Sequence, residues 1–290
     1  MMNRILNVIL LNSLFVCFSI ASYSQIYSGK LINKESGKPV SYANIGIVDR
    51  DIGTVSDTAG WFEIELIDKY DEDSLLISCI GYKSERYLIS DFKDAERKTV
   101  EMRIELAPIS YHLNEVIIRP IQMRTYTLGF NCDSNSAYGN AFYSKELGTE
   151  MGVVIELPSK KDKAYLKNFR FYVGEFTFDK FPVRINVYDL NNGIPGKNIL
   201  REPIYMEITS TGEYVINLSE YNITVFGNFF ISLEYYRVPD KTQGKLVFCA
   251  VHQRKMKKKN SFYRWTSQGN WQSEMFDVVG FSVEVDCTQK

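Results

Sequence analysis

The stretch VSDTAGWFEI, residues Val55 to Ile64, sets an aspartate three residues ahead of a glycine and opens an alternating aromatic strand straight after it. Three readings compete for it: a metal loop, part of an active site, or a turn that one particular fold requires. Asp49 and Asp51 lie close enough to suggest a calcium loop. Such a loop alternates oxygen ligands and closes on a glutamate at its twelfth position. Here Ile52, Thr54 and Val55 interrupt the ligands, and the twelfth position counted from Asp49 is Gly60. No base or nucleophile accompanies the stretch, which removes the catalytic reading. A turn remains: Asp57 accepts backbone N–H groups across it, Gly60 supplies a positive φ, and Trp61 and Phe62 point to opposite faces of the strand that follows.

Short strand-like runs separated by turn signals extend on both sides of this turn. They are Ile26–Asn33, Tyr42–Asp49, Trp61–Leu66, Ser74–Ile80, Tyr82–Ile89, Thr99–Leu106 and Leu113–Arg119, with KESGKP (Lys34–Pro39) as the first turn. Seven short strands in about a hundred residues predict a small antiparallel sandwich. The Gly37-Lys38-Pro39 turn, Ala43-Asn44-Ile45, Asp57-x-x-Gly60-x-Phe62, Ile80-Gly81-Tyr82 and the close Leu113-Asn114-Glu115-Val116 together resemble the carboxypeptidase regulatory-like domain. That family is a prealbumin-type β-sandwich, common in Bacteroidetes and often found at the N-terminus of TonB-dependent outer-membrane receptors. The resemblance covers about residues 26–119. It implies that Phe62 faces inward and Trp61 outward, and that Asp57, Gly60 and Phe62 are structural turn residues. It implies an accessory module, with no catalytic residues to carry over.

A receptor would continue into a plug and a barrel of several hundred residues, whereas about 170 remain after Pro120. These read as eight or nine further strands, among them Gly152–Leu157, Ala164–Val173, Val183–Leu190, Glu213–Leu218, Asn228–Tyr236, Lys245–Val251 and Val278–Val285. A jelly-roll-like sandwich fits this pattern. An eight-stranded membrane barrel fits less well, because strand lengths vary and charges fall on both alternating faces, as in VRINVYDL. The expected organisation is all-β, with a signal peptide at 1–24, a first sandwich at 25–120, a linker at 121–127 and a second sandwich at 128–290. The leader follows from Asn3-Arg4, the apolar run Ile5–Ala21, and the small residues Ser22 and Ser24 ahead of a cleavage before Gln25. Export to the periplasm or cell surface, associated with the outer membrane, is the resulting expectation, with no transmembrane segment in the mature chain.

Four cysteines then remain, Cys79, Cys132, Cys249 and Cys287, and they allow three full connectivities. Their spacing does not choose among these. Cys79 and Cys249 lie in apolar runs suited to buried thiols, and a Cys132–Cys287 bridge would tie together the two ends of the second half.

Little else carries chemistry. With a net charge of −1 the chain has no basic field to recommend nucleic acid as a partner. His112 and His252 are the only histidines, so a histidine-based metal centre or triad has little material, and no motif calls for a cofactor. The sequon Asn222-Ile223-Thr224 and the triplets Asp57-Thr58-Ala59 and Asp73-Ser74-Leu75 resemble glycosylation sites only at the level of three residues. Two binding candidates stand out. Arg254, Lys255, Lys257, Lys258 and Lys259 form one dense basic run, suited to anionic lipid or polysaccharide or simply to a solvated loop. Beside it, Tyr263, Trp265 and Trp271 in SFYRWTSQGNW would form an exposed platform for sugar rings, or cap the core. The expected function is therefore a non-catalytic envelope module that binds a protein or a polysaccharide. The alternatives are a glycan hydrolase with a carboxylate site in the second domain, or a component of TonB-dependent uptake.

Overall fold

The computed structural model describes residues 24–97, 102–110, 122–132, 138–142, 147–159, 163–239, 243–252, 260–274 and 277–288. Residues 1–23 of the expected leader, the Leu113–Arg119 strand, His112 and the basic run Arg254–Lys259 lie outside the described residues.

The alternation of WFEIEL is read out directly by the first sandwich. In strand β4 (Trp61–Ile67) Phe62, Ile64 and Leu66 are buried while Trp61, Glu63 and Glu65 are exposed. β4 pairs antiparallel with β1 (Ser24–Asn33), which in turn pairs parallel with β7 (Arg103–Leu106). The facing sheet runs β3-β2-β5-β6, from β2 (Asn44–Ile47), β3 (Gly53–Val55), β5 (Ser74–Ser78) and β6 (Glu85–Leu88). Tyr27, Leu31, Ile45, Ile47, Phe62, Ile77 and Leu106 fill the space between the sheets. Each such side chain contributes roughly 1.5–3 kcal/mol by leaving water.

The turn at Asp57 works as expected. Asp57 Oδ1 accepts the N–H groups of Ala59 and Trp61, each at 2.8 Å. Gly60 has φ +80°, and a Cβ there would stand 2.5 Å from the carbonyl oxygen of Leu31. The turn is therefore pressed against β1, and only glycine fits.

Helix α1 (Ile89–Arg97) and the short strand β3 go beyond the elements expected from the sequence. The helix closes one end of the sandwich with Phe92, whose ring lies 6.4 Å from that of Tyr27. Its Lys93 is buried and bonds Asp68 at 2.7 Å and Asp71 at 2.8 Å. Burial works against the ammonium, but its two carboxylate partners outweigh this and raise its pKa.

The second sandwich is built from β8 (Met123–Gly129), β9 (Tyr138–Phe142), β10 (Glu150–Ile155), β11 (Lys163–Phe176), β12 (Phe181–Asn191), β13 (Ile194–Asn198), β14 (Ile204–Ile208), β15 (Gly212–Asn217), β16 (Thr224–Phe226), β17 (Phe229–Tyr235), β18 (Leu246–His252), β19 (Ser261–Arg264), β20 (Gln272–Glu274), β21 (Asp277–Val279) and β22 (Phe281–Thr288). One sheet runs β13-β12-β17-β10-β19-β20, with β14 also on β12. The other runs β21-β18-β11-β22-β8, with β15 and β16 on β11 and β9 on β18. Among the described residues fifteen strands replace the eight or nine expected, because β8, β9, β13 and β16 form outside the runs expected as strands and the run Val278–Val285 divides at Gly280 into β21 and β22, whereas β11 runs through its bulges as one strand. Most of the stretch expected as a linker at 121–127 is β8, an edge strand paired along β22. Among the described residues no helix is long and apolar enough to cross a membrane.

The disulfide joins Cys132 to Cys249, with a Cα–Cα distance of 6.2 Å, rather than to Cys287. Register explains the correction. Cys287 lies opposite Arg124 in the β8–β22 pair, eight residues back along the chain from Cys132. That is about 27 Å in extended chain, beyond the reach of a bridge. Gly280 makes room for the actual one, since a Cβ there would meet Cys132 Sγ at 2.2 Å. Cys287 is a thiol buried in the core.

Candidate functional site

Strands β10, β12 and β17 are buried along nearly their whole length, so both of their faces are covered. Val183, Ile185 and Val187 point into the second sandwich, and the alternate residues Arg184, Asn186 and Tyr188 point toward the first. Across the sheet Arg184 stands opposite Glu234, Glu234 opposite Glu150, and Glu150 opposite Arg264. One row of four strands thus carries charges in the order plus, minus, minus, plus.

Two carboxylates directly opposite each other repel. Asn186 Nδ2 answers this by donating to both, to Glu150 Oε1 at 3.0 Å and to Glu234 Oε2 at 2.6 Å. Arg184 grips Glu234 through Nε at 3.0 Å and Nη2 at 2.8 Å. Arg264 grips Glu150 Oε2 through Nε at 3.0 Å and Nη2 at 2.6 Å. Ser232 and Tyr188 hydroxyls complete the bonds to Glu150. Burial, and then the neighbouring Glu234, push the Glu150 carboxyl up, against the pull of Arg264, Ser232 and Asn186. Burial also works against the arginine charges, yet the facing carboxylates keep both guanidinium groups raised above their ordinary value.

The same row holds the two sandwiches together. Arg184 reaches across to Tyr42 O at 2.8 Å and Asn44 Oδ1 at 2.7 Å. The Tyr42 ring, carried on a residue with φ 58°, packs edge-on against Tyr205 and Tyr236. Further along, the turn after β19 lies on a flat patch made by Gly46 and Gly53, which are cross-strand partners. Asp49 N donates to Gln268 O, Asn270 Nδ2 donates to Asp49 O, and Gln268 Nε2 donates to Ser78 Oγ. The Asp49–Gly53 segment, whose aspartates suggest a calcium loop in the sequence, is therefore a docking turn. Among the described residues no group of three His, Cys, Asp or Glu is placed to hold a metal ion.

Beside this seam the sandwiches leave a cleft of about 380 Å³. The first sandwich supplies Asn44, Ser78, Cys79, Tyr82 and Ser84; the second supplies Arg184, Asn186, Lys197, Asn198, Arg264 and Trp271. Burial pushes the Cys79 thiol up to about 11, so it is protonated near neutral pH. Glu150 and Glu234 lie beneath the floor, both 0% exposed.

The aromatic platform expected from SFYRWTSQGNW does not form. Tyr263 pairs with Gln272, which puts Trp271 on the face of Phe262 and Arg264. Tyr263 and Trp265 stay together, with ring centroids 5.2 Å apart and Trp265 42% exposed. Trp271 instead packs on Tyr188 and Phe230, with the Arg264 guanidinium 4.7 Å from its ring centroid, and reaches the cleft. Sequence reasoning misses the charged row because its members come from four strands scattered between residues 150 and 264. A glutamate inside the aromatic run of β17 is the one local signal.

Residues 27–118 match the family of the CarboxypepD_reg-like domain, which is the first sandwich. No curated protein matches the chain. Among solved structures, the crystal structure of the infectious bursal disease virus VP2 subviral particle gives a TM-score of 0.22 at 8% identity over 92% of this chain and 64% of that chain. The structure of the infectious bursal disease virus Gt strain gives 0.23 at 10% identity over 92% and 65%. The chain thus spans just under two thirds of the length of those chains. Likeness at that level carries no argument about this protein.

Proposed function

We propose that this CarboxypepD_reg-like sandwich and the sandwich docked on it form a non-catalytic, exported envelope module that holds a short stretch of glycan in the cleft between them. The cleft itself is the observation that carries this reading. Its volume falls in the usual range for small-ligand sites and suits one or two sugar rings. Its lining mixes amides, hydroxyls and guanidinium groups with the indole of Trp271, and sugars present hydroxyl edges and an apolar face to such a lining. A concave site of this kind favours a small or extended ligand over a flat protein surface. The Cys132–Cys249 bridge accords with an oxidising compartment outside the cytoplasm.

The rival reading, a hydrolase, would use Glu150 and Glu234. A general acid or nucleophile needs an oxygen within reach of the substrate. Here every carboxylate oxygen already accepts a bond from Arg184, Asn186, Arg264, Tyr188 or Ser232, and neither glutamate lines the cleft. The pair is better read as the counterions that fix the two arginines.

The test is retention of the mature chain on a panel of immobilised polysaccharides, repeated with Ser84→Trp. Ser84 is exposed on the cleft wall, so the indole obstructs the cleft without entering the core. Retention lost at unchanged melting temperature supports the reading; retention indifferent to Ser84→Trp, or none on any polysaccharide, sinks it.

A further inference from the structure

Resting on the cleft as the binding site, we infer that its ligand is an acidic glycan, with the carboxylate of a hexuronic acid received by Arg264 and Lys197. The charges of the lining point this way. Arg184, Lys197 and Arg264 line the cleft, and among the described residues no aspartate or glutamate does. Glu234 and Glu150 balance the two arginines from below, so the unbalanced charge is that of Lys197. Its side chain is exposed and makes no salt bridge among the described residues; the nearby Asp189 carboxylate is engaged by the Lys197 backbone N–H instead.

Arg264 is the directional group. More than nine-tenths of it is buried, and its Nε and Nη2 are engaged by Glu150 Oε2 and by the Tyr188 hydroxyl at 3.3 Å. Its Nη1 makes no hydrogen bond among the described residues. A guanidinium clamped by a carboxylate on one edge and laid against an indole ring has little rotamer freedom left to lose when it binds an anion. The amides add donors of the same kind. Asn44 spends its oxygen on Arg184 and keeps its NH₂ group, and Asn198 spends its oxygen on Leu200 N and one N–H on Asn186. At Asn44 and Asn198 the protein's own network thus consumes acceptors and leaves N–H donors on the cleft lining, whereas Gln268 spends its NH₂ group on Ser78. Beside Arg264 and Lys197 the donors are what a carboxylate matches and a neutral sugar edge matches only in part. The Trp271 indole beside Arg264 supplies an apolar surface at the place where the ring bearing that carboxylate would lie.

The experiment is calorimetric titration of the mature chain with hexasaccharides of galacturonate, glucuronate-containing hyaluronan and mannuronate, each against its carboxyl-reduced neutral form. At least one uronate is expected to bind about tenfold or more tightly than its reduced partner, the gap that follows when a desolvated charged donor is left without its acceptor. Lys197→Gln, an exposed change that leaves the fold intact, is expected to narrow that gap. If acid and reduced forms bind equally, the acidic assignment is overturned while glycan binding stands; if a gap is present and Lys197→Gln leaves it unchanged, the carboxylate is not received at Lys197 and its placement in the cleft is overturned. If no sugar binds and Ser84→Trp has no effect on any polysaccharide, both readings fall together.

Discussion

Glu150 and Glu234 face each other on neighbouring strands, both sealed from solvent, and share the side-chain amide of Asn186. Their repulsion is contained only because an arginine flanks each on the outer side. Removing one member of such a buried set leaves a charge uncompensated. Arg184→Met is therefore expected to cost about 3–5 kcal/mol in denaturant unfolding. Adding Glu234→Gln should restore at least about 1 kcal/mol, because the orphaned charge goes with it. Strict additivity of the two changes would contradict the coupling.

Two glycine positions separate local strain from domain docking. Gly60→Val forces a Cβ against Leu31 O at a positive φ, and Gly46→Ala forces one against Ser267 O, 2.1 Å away on the other sandwich. Each is expected to cost about 1–3 kcal/mol. Limited proteolysis distinguishes them: Gly46→Ala should open the seam and speed cleavage between the sandwiches, and Gly60→Val should expose the first sandwich. Unchanged melting temperatures would contradict both.

The Cys132–Cys249 bridge spans a sequence separation of 117 residues. A loop of that order restricts the unfolded chain by about 4–5 kcal/mol. Reduction should lower the unfolding midpoint accordingly, and peptide mapping under non-reducing conditions should recover the 132–249 pair. Recovery of a 132–287 pair would contradict the pairing of β8 along β22.

Cys79 offers a probe of the cleft itself. With its pKa raised to about 11 by burial, the thiolate fraction near pH 8 is about a hundredfold below that of an ordinary thiol of pKa about 9. Alkylation should be slow at pH 8 and accelerate up to and beyond pH 10, and a bound ligand should slow it further. Rapid labelling at pH 8 would show that the site is open and the thiol unburied.

The first sandwich is legible in the sequence because its signals are local. Asp57, Gly60 and Phe62 lie within six residues, and each does a job that one residue type performs best. The charged row is not legible, because alternation in VRINVYDL marks Arg184 and Asn186 as off the core without saying that a second domain covers them. Trp271 shows how little it takes to lose a site: with Tyr263 opposite Gln272 rather than Trp271, the indole moves to the other face. The disulfide escapes sequence reasoning for the same reason, since pairing depends on register along β8 and β22.

A binding site that belongs to both sandwiches at once must respond to changes in either. The sharpest measurement titrates Ser84→Trp, from the first sandwich, and Lys197→Gln, from the second, with the tightest-binding hexasaccharide. Each change is expected to weaken binding about tenfold or more, by obstruction in the first case and by loss of a cation in the second, with unfolding midpoints close to that of the unaltered chain, since both residues are exposed. Binding that survives either substitution intact would place the ligand elsewhere.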